Sequence, residues 1–115
     1  MSDYKDLEVW QKAIAVVADI YRLTASFPES EKFGITNQMR RAAVSVPSNI
    51  AEGSARHHAN DFIHFLRIAD GSAAELETQL IISTKLGFVT DTESLAQEIV
   101  VIHRMLAALI KSLRK

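Results

Sequence analysis

Apolar residues return at every third or fourth position in four stretches of the chain, separated by short polar interruptions. That spacing is the period of an α-helix, so the pattern predicts four amphipathic helices. In the first, from Asp6 to about Ser26, Leu7, Trp10, Ile14, Val17, Tyr21 and Thr24 form one row, read as the first core seam. Val9, Ala13, Val16, Ile20 and Leu23 form a second row, roughly 80–100° round the same helix. Glu8, Lys12, Asp19 and Arg22 occupy the remaining third. Phe27-Pro28 ends the helix, because a residue before proline is pushed out of helical conformation.

After a polar loop from Glu29 to Thr36 comes the most unusual stretch, Gln38 to Gly53, with two adjacent arginines, a run of small residues and an interior proline. Thr36 is the expected N-cap and Met39, Ala43, Val46 and Ile50 the core row. Pro47 has no N–H for the Ala43 carbonyl and crowds it, which predicts a kink or a break into two helical pieces. Gly53 is the expected stop, and Ser54 to Asn60 a connection. The third helix, from about Asn60 to Leu86, has Phe62, Leu66, Ala69, Ala73, Leu76 and Leu80 as its inner row. A second row, His64, Ile68, Gly71, Glu75, Thr78, Ile82 and Leu86, mixes aliphatic and small residues in a way that a solvated face normally does not. Gly87-Phe88 reads as a terminating glycine with its hydrophobic partner. Thr90 to Glu93 reads as a capping box that opens a fourth helix, whose row is Leu95, Ile99, Ile102, Leu106, Leu109 and Leu113. Its last turn holds Lys111, Arg114 and Lys115, the sign that suits a helix C-terminus.

Four helices of about 20 to 27 residues with short connections predict one all-α domain, residues 1–115, an antiparallel up-down-up-down four-helix bundle with its second helix kinked at Pro47. The double-sided first and third helices carry more apolar surface than one bundle buries, which predicts self-association. With 115 residues, 48% hydrophobic, four glycines and two prolines, the composition suits such a fold. The absence of cysteine excludes disulfides, thiolate zinc sites and a cysteine nucleophile. The start MSDYKDLEVW is unlike a signal peptide and no apolar run reaches membrane-spanning length, so a cytoplasmic protein with no membrane partner is expected. A net charge of −1 supplies no global basic field, so nucleic-acid binding would need a local patch or one assembled by oligomerisation.

Catalytic constellations are poorly supported. A carboxylate-bridged metal centre needs Glu-x-x-His on two helices, and only Asp61-x-x-His64 has comparable spacing. His57, Asp61 and His64 read as an ordinary solvated cluster, and no partner for His103 is evident. Ser45, Ser48, Ser72 and Ser83 lack a nucleophile elbow, and the dispersed glycines form no phosphate loop. No catalytic residue, metal, cofactor or small-molecule substrate is therefore expected.

The sharpest oddity is the polar row Gln38, Arg41, Ser45, Ser48 and Glu52, at the spacing usually held by apolar seam residues. It is either a solvated face or a packed polar interface, within or between subunits. Its short side chains, flanked by Ala42, Asn49 and Ala51, allow close approach, and Arg40 or Arg41 could pair with Glu52 or Glu75. Gln38, Ser45, Ser48, Asn49 and Glu52, with Ile68, Gly71, Ser72, Glu75 and Ile82, are the candidate packing residues. A third reading makes Arg40, Arg41, Arg56, His57, His58 and Arg67 phosphate contacts.

The motifs DLEVWQKA, FPESEKFG, QMRRAAVSVPSNIAEG and FIHFLRIADGSAAELETQL followed by LGF span nearly the whole chain. Together they resemble a bacterial family of four-helix-bundle proteins that includes those encoded in intervening sequences of 23S ribosomal RNA genes. The resemblance implies an up-down bundle that assembles into ring-like homopentamers. The accessory proteins of diversity-generating retroelements are similar to this family, work with a reverse transcriptase and bind nucleic acid through a basic surface. The expected function is a non-enzymatic homo-oligomeric scaffold or accessory protein with RNA or a ribonucleoprotein as partner. The alternative is a nucleic-acid-binding module, for RNA or DNA, whose basic patch forms on the oligomer.

Overall fold

The computed structural model describes residues 3–114 and is all-α. Its four long helices are α1, Glu8–Thr24, α2, Ile35–Ala55, α3, Ala59–Lys85, and α4, Glu93–Leu113; single 3₁₀ turns lie at Tyr4–Asp6 and Glu29–Glu31. The helices pack side by side into an elongated body of 45 × 23 × 19 Å. Directions follow from which residues meet. Along α2 and α3, Met39 meets Ser83, Ser45 meets Ser72, and Gly53 lies against Phe62 and Phe65, so one number rises as the other falls and the pair is antiparallel. Arg40 reaches Thr24 while Pro47 shares a groove with Trp10, Ile14 and Val17, which orients α1 against α2 in the same sense.

One continuous core runs through the four helices, and its deepest members are Ile20, Met39, Ile50, Leu66, Leu76, Ile99, Ile102 and Leu106. The expected inner rows of α2 and α3 hold, with Phe62 only half-buried at the end of the α3 row. In α4 the buried row passes from Leu106 to Ile110, with Leu109 and Leu113 at its edge. α1 reverses the expected order of its two rows. Val9, Ala13, Val16, Ile20 and Thr24 are buried, whereas Ile14 and Tyr21 remain 43% and 44% exposed. The bulky residues with polar tips, Trp10 and Tyr21, are better placed at a wetted margin than between helices. Thr24, the last member of the first row, is buried and donates to the Ile20 carbonyl at 2.7 Å.

Three local expectations at helix ends are corrected. Thr36 is not the N-cap of α2: Gly34 is, and the Ile35 amide donates to Glu31 Oε1 at 3.3 Å, leaving the Thr36 hydroxyl buried without a partner. Thr90 does not cap α4, which starts at Glu93 after Thr92 with no side-chain cap. Gly53 lies inside α2, which runs on to Ala55 and continues unbroken through the buried Pro47 rather than splitting into two pieces. A Cβ on Gly53 would lie 2.6 Å from Phe65 Cβ, so the glycine permits close approach of α3 instead of ending the helix. The end of α3 is as expected. Gly87 has φ +79°, its amide donates to Thr84 O at 3.1 Å, and that of Phe88 donates to Ser83 O at 3.0 Å. Phe88 then packs on Phe27 with ring centroids 5.5 Å apart.

Candidate functional site

At the α2–α3 seam Gln38, Arg41 and Ser45 of the polar row of α2 meet Ser72 and Glu75 of α3. Small side chains bring the helices together: Ser45 Oγ and Ser72 Oγ are hydrogen-bonded at 2.8 Å, and Asn49 Nδ2 donates to both Ser45 O and Ser45 Oγ, at 2.8 and 2.9 Å. Beside this network opens a cleft of ≈ 290 Å³ lined by Gln38, Arg41, Ala42, Ser45, Ser72 and Glu75. Glu75 accepts a hydrogen bond from Gln79 Nε2 at 3.3 Å, and the buried Gln79 Oε1 has no partner. Arg41 forms no ion pair among the described residues.

Outside the cleft the same face is mixed. Ile68 and Ile82 are exposed at 39% and 43%, Gly71 is open with nothing near the position of a Cβ, and Glu52 faces solvent, whereas Ser48 lines the groove between α1 and α2. The ten candidate packing residues from two helices are thus divided among an internal hydrogen-bonded seam, an exposed strip and, for Ser48, the groove against α1. A second apolar surface lies on the opposite side of α2, where Ile14 and Tyr21 of α1 and Val44 of α2 are exposed.

The six basic candidates do not form one patch. Arg40 is committed to α1: its Nε donates to Thr24 Oγ1 at 2.8 Å, Nη2 to the Tyr21 carbonyl at 3.3 Å, and the guanidinium lies 4.5 Å from the Tyr21 ring centroid. Arg56 pairs with Glu52 at 3.2 Å and covers the Phe65 ring at 5.0 Å. So Glu52 has an intrachain partner in the next turn of its own helix, not Arg40 or Arg41. His57 and His58 form the α2–α3 turn, His57 with φ 62°, and both line an apolar cavity of ≈ 350 Å³ with Leu7, Phe62 and Leu113. Arg41 stays in the α2–α3 cleft, and Arg67 lies on the α4 side of α3.

Sequence reasoning found no partner for His103, but the fold supplies two. Its Nδ1 is hydrogen-bonded to Asp70 Oδ1 and its Nε2 lies 3.8 Å from Glu77 Oε1, tying α4 to α3. Asp70 and Glu77 are seven residues apart and therefore share a helix face; that spacing was the only local signal, and it does not reveal which helix packs opposite. Among the described residues no group of three or more His, Asp or Glu side chains is arranged to hold a metal ion, and no helix is long and apolar enough to cross a membrane.

An all-α four-helix protein with a hydrogen-bonded serine seam and a partly apolar strip beside it is the class that fold and surface define. Residues 5–108 match the family model of the 23S rRNA-intervening sequence protein, and the chain belongs to that family. A crystal structure of a protein of unknown function from the S23 ribosomal protein family of Bacteroides thetaiotaomicron is similar to it, with a TM-score of 0.79 and 27% identity over 90% of this chain and 98% of that one. No curated protein matches the chain. Neither name assigns an activity.

Proposed function

We propose that this protein is a non-enzymatic, homo-oligomeric helical scaffold whose partner is RNA or a ribonucleoprotein. The observation that carries the reading is the α2–α3 face, where Ile68, Gly71 and Ile82 stand in solvent beside a rigid polar seam. Exposed aliphatic residues beside an open glycine suit contact with another helix. The α1–α2 surface with Ile14, Tyr21 and Val44 is a different patch, and two unlike patches on one chain suit head-to-tail association, which closes into a ring when the rotation permits. The family resemblance implies five copies. Against enzymatic work, the serines of the seam hydrogen-bond to each other and to Asn49, and among the described residues neither bonds to a histidine or a carboxylate. RNA as partner class is supported by the 23S rRNA in the family's description.

Light scattering after gel filtration at micromolar concentration tests the assembly. The expected mass is about five times the chain mass of 12.8 kDa. Gly71→Trp should reduce that mass while leaving the helical content unchanged. A wild-type protein that is only monomeric overturns the scaffold reading.

The alternative, a nucleic-acid-binding module, draws on one observation. The α2–α3 turn and the last turn of α4 share one end of the bundle, where His57 and His58 line a cavity with Leu113. That last turn also carries Lys111, and an oligomer would multiply such groups.

A further inference from the structure

On the other side of α3, a groove of ≈ 570 Å³ is lined by Arg67 and Asp70 from α3 and by Ala107, Ile110, Lys111 and Arg114 from α4. It has about twice the volume of the α2–α3 cleft, at ≈ 570 against ≈ 290 Å³. Its charges are unbalanced. Asp70 is the only acid in the lining, and its Oδ1 is engaged by His103. Arg67, Lys111 and Arg114 form no ion pair among the described residues. The α4 helix dipole accounts for basic residues in its last turn, but not for Arg67 on a neighbouring helix. The rest of the lining is apolar, the exposed Ala107 and the largely buried Ile110, which serve as its floor.

Three cations around an apolar floor match a ligand in which phosphate is joined to a flat, weakly polar ring. We propose that the α3–α4 groove is a binding site for nucleotide phosphates, with Arg67, Lys111 and Arg114 contacting phosphate and Ala107 and Ile110 receiving the face of a base. A free nucleotide and a single RNA strand present this same chemistry. The site rests on the nucleic-acid reading only for the source of the phosphate, and it does not require the scaffold reading. Of the six basic residues singled out in the sequence, Arg67 lines this groove.

Fluorescence anisotropy on the full chain, with a labelled oligouridylate decamer and with a fluorescent ATP analogue as separate probes, tests the site. Binding of either probe is expected. For the strand, neutralisation of about three phosphates predicts a roughly fifteen- to twentyfold loss of affinity between about 50 mM and about 200 mM salt. The variant R67Q/K111Q/R114Q should bind at least about tenfold more weakly, with unchanged circular dichroism and unchanged mass by light scattering, whereas K12Q/K85Q should bind as wild type. Strand-only binding identifies nucleic acid as the source, and binding of ATP alone identifies a free nucleotide; both support the groove. Absence of binding by both probes at the lower salt, or wild-type binding by the triple variant, overturns it. Displacement by inorganic phosphate as effective as by unlabelled ATP overturns the role of the apolar floor. Because the oligomer mass is read on the same samples, failure of the groove and failure of the scaffold are separable.

Discussion

Along its α2 side α3 packs through small, neutral side chains, with Ser72 bonded to Ser45 and the glycine at 53 admitting Phe62 and Phe65; along its α4 side it is bridged by the hydrogen bond between Asp70 and His103 and falls open into a cationic groove. The difference shows how side-chain size and charge set the width of a helix seam. Hydroxyls and a bare Cα let backbones approach while their polar groups are satisfied locally. Long charged side chains hold their ends in water and leave space between the helices. One helix therefore presents a rigid side suited to fixed packing and a wetter side suited to a small charged ligand.

The largest test of this contrast is at Gly53. Gly53→Val should destabilise the protein by about 3 kcal/mol, at the upper end of overpacking effects, because its side chain must displace Phe65 and a backbone carbonyl. Urea denaturation reads the effect, and an unchanged midpoint would show that α2 and α3 can separate freely. Next in size is the serine pair. Ser45→Ala and Ser72→Ala, combined in a double-mutant cycle, should reveal a coupling of about 1 kcal/mol, since each single change leaves the other hydroxyl short of a partner. Coupling near zero would mean that water replaces the lost bond. The smallest effect belongs to the α4 side. His103→Gln should cost only about 0.5 kcal/mol by the same denaturation measurement, because the pair is partly exposed and screened. A loss as large as that at Gly53 would erase the distinction between the two seams.

Much of this architecture was legible from local pattern. The inner row Leu66, Ala69, Ala73, Leu76 and Leu80 is buried as its spacing implies, and Gly87-Phe88 ends α3 with the expected pair of backbone bonds. Legibility failed where two local solutions had similar merit. Both rows of α1 are apolar, so periodicity alone could not say that Ile20 would be buried and Tyr21 left at the margin. Thr36 and Thr90 have the right chemistry for caps, but each cap also depends on the path of the preceding turn. For the site, the seam joins Ser45, Asn49 and Ser72 and adjoins Glu75, residues whose meeting across two helices periodicity alone does not specify. The basic group was dispersed instead: Arg40 is bound to Thr24 and Tyr21, Arg56 to Glu52, and Arg67 lies against α4.

What the sequence determined by itself was the number of helices, most of their bounds and the inner face of α2, α3 and α4, because these follow from periodicity and turn chemistry over a few residues. Family membership is likewise carried by its motifs. Tertiary structure alone decided which row of α1 faces inward, that Gly53 is a contact point and not a stop, and that His103 lies against Asp70. It also decided that Arg67, Lys111 and Arg114 share a groove. Those outcomes depend on how helices distant in sequence are rotated against one another, and that rotation is set by the packing of the whole core.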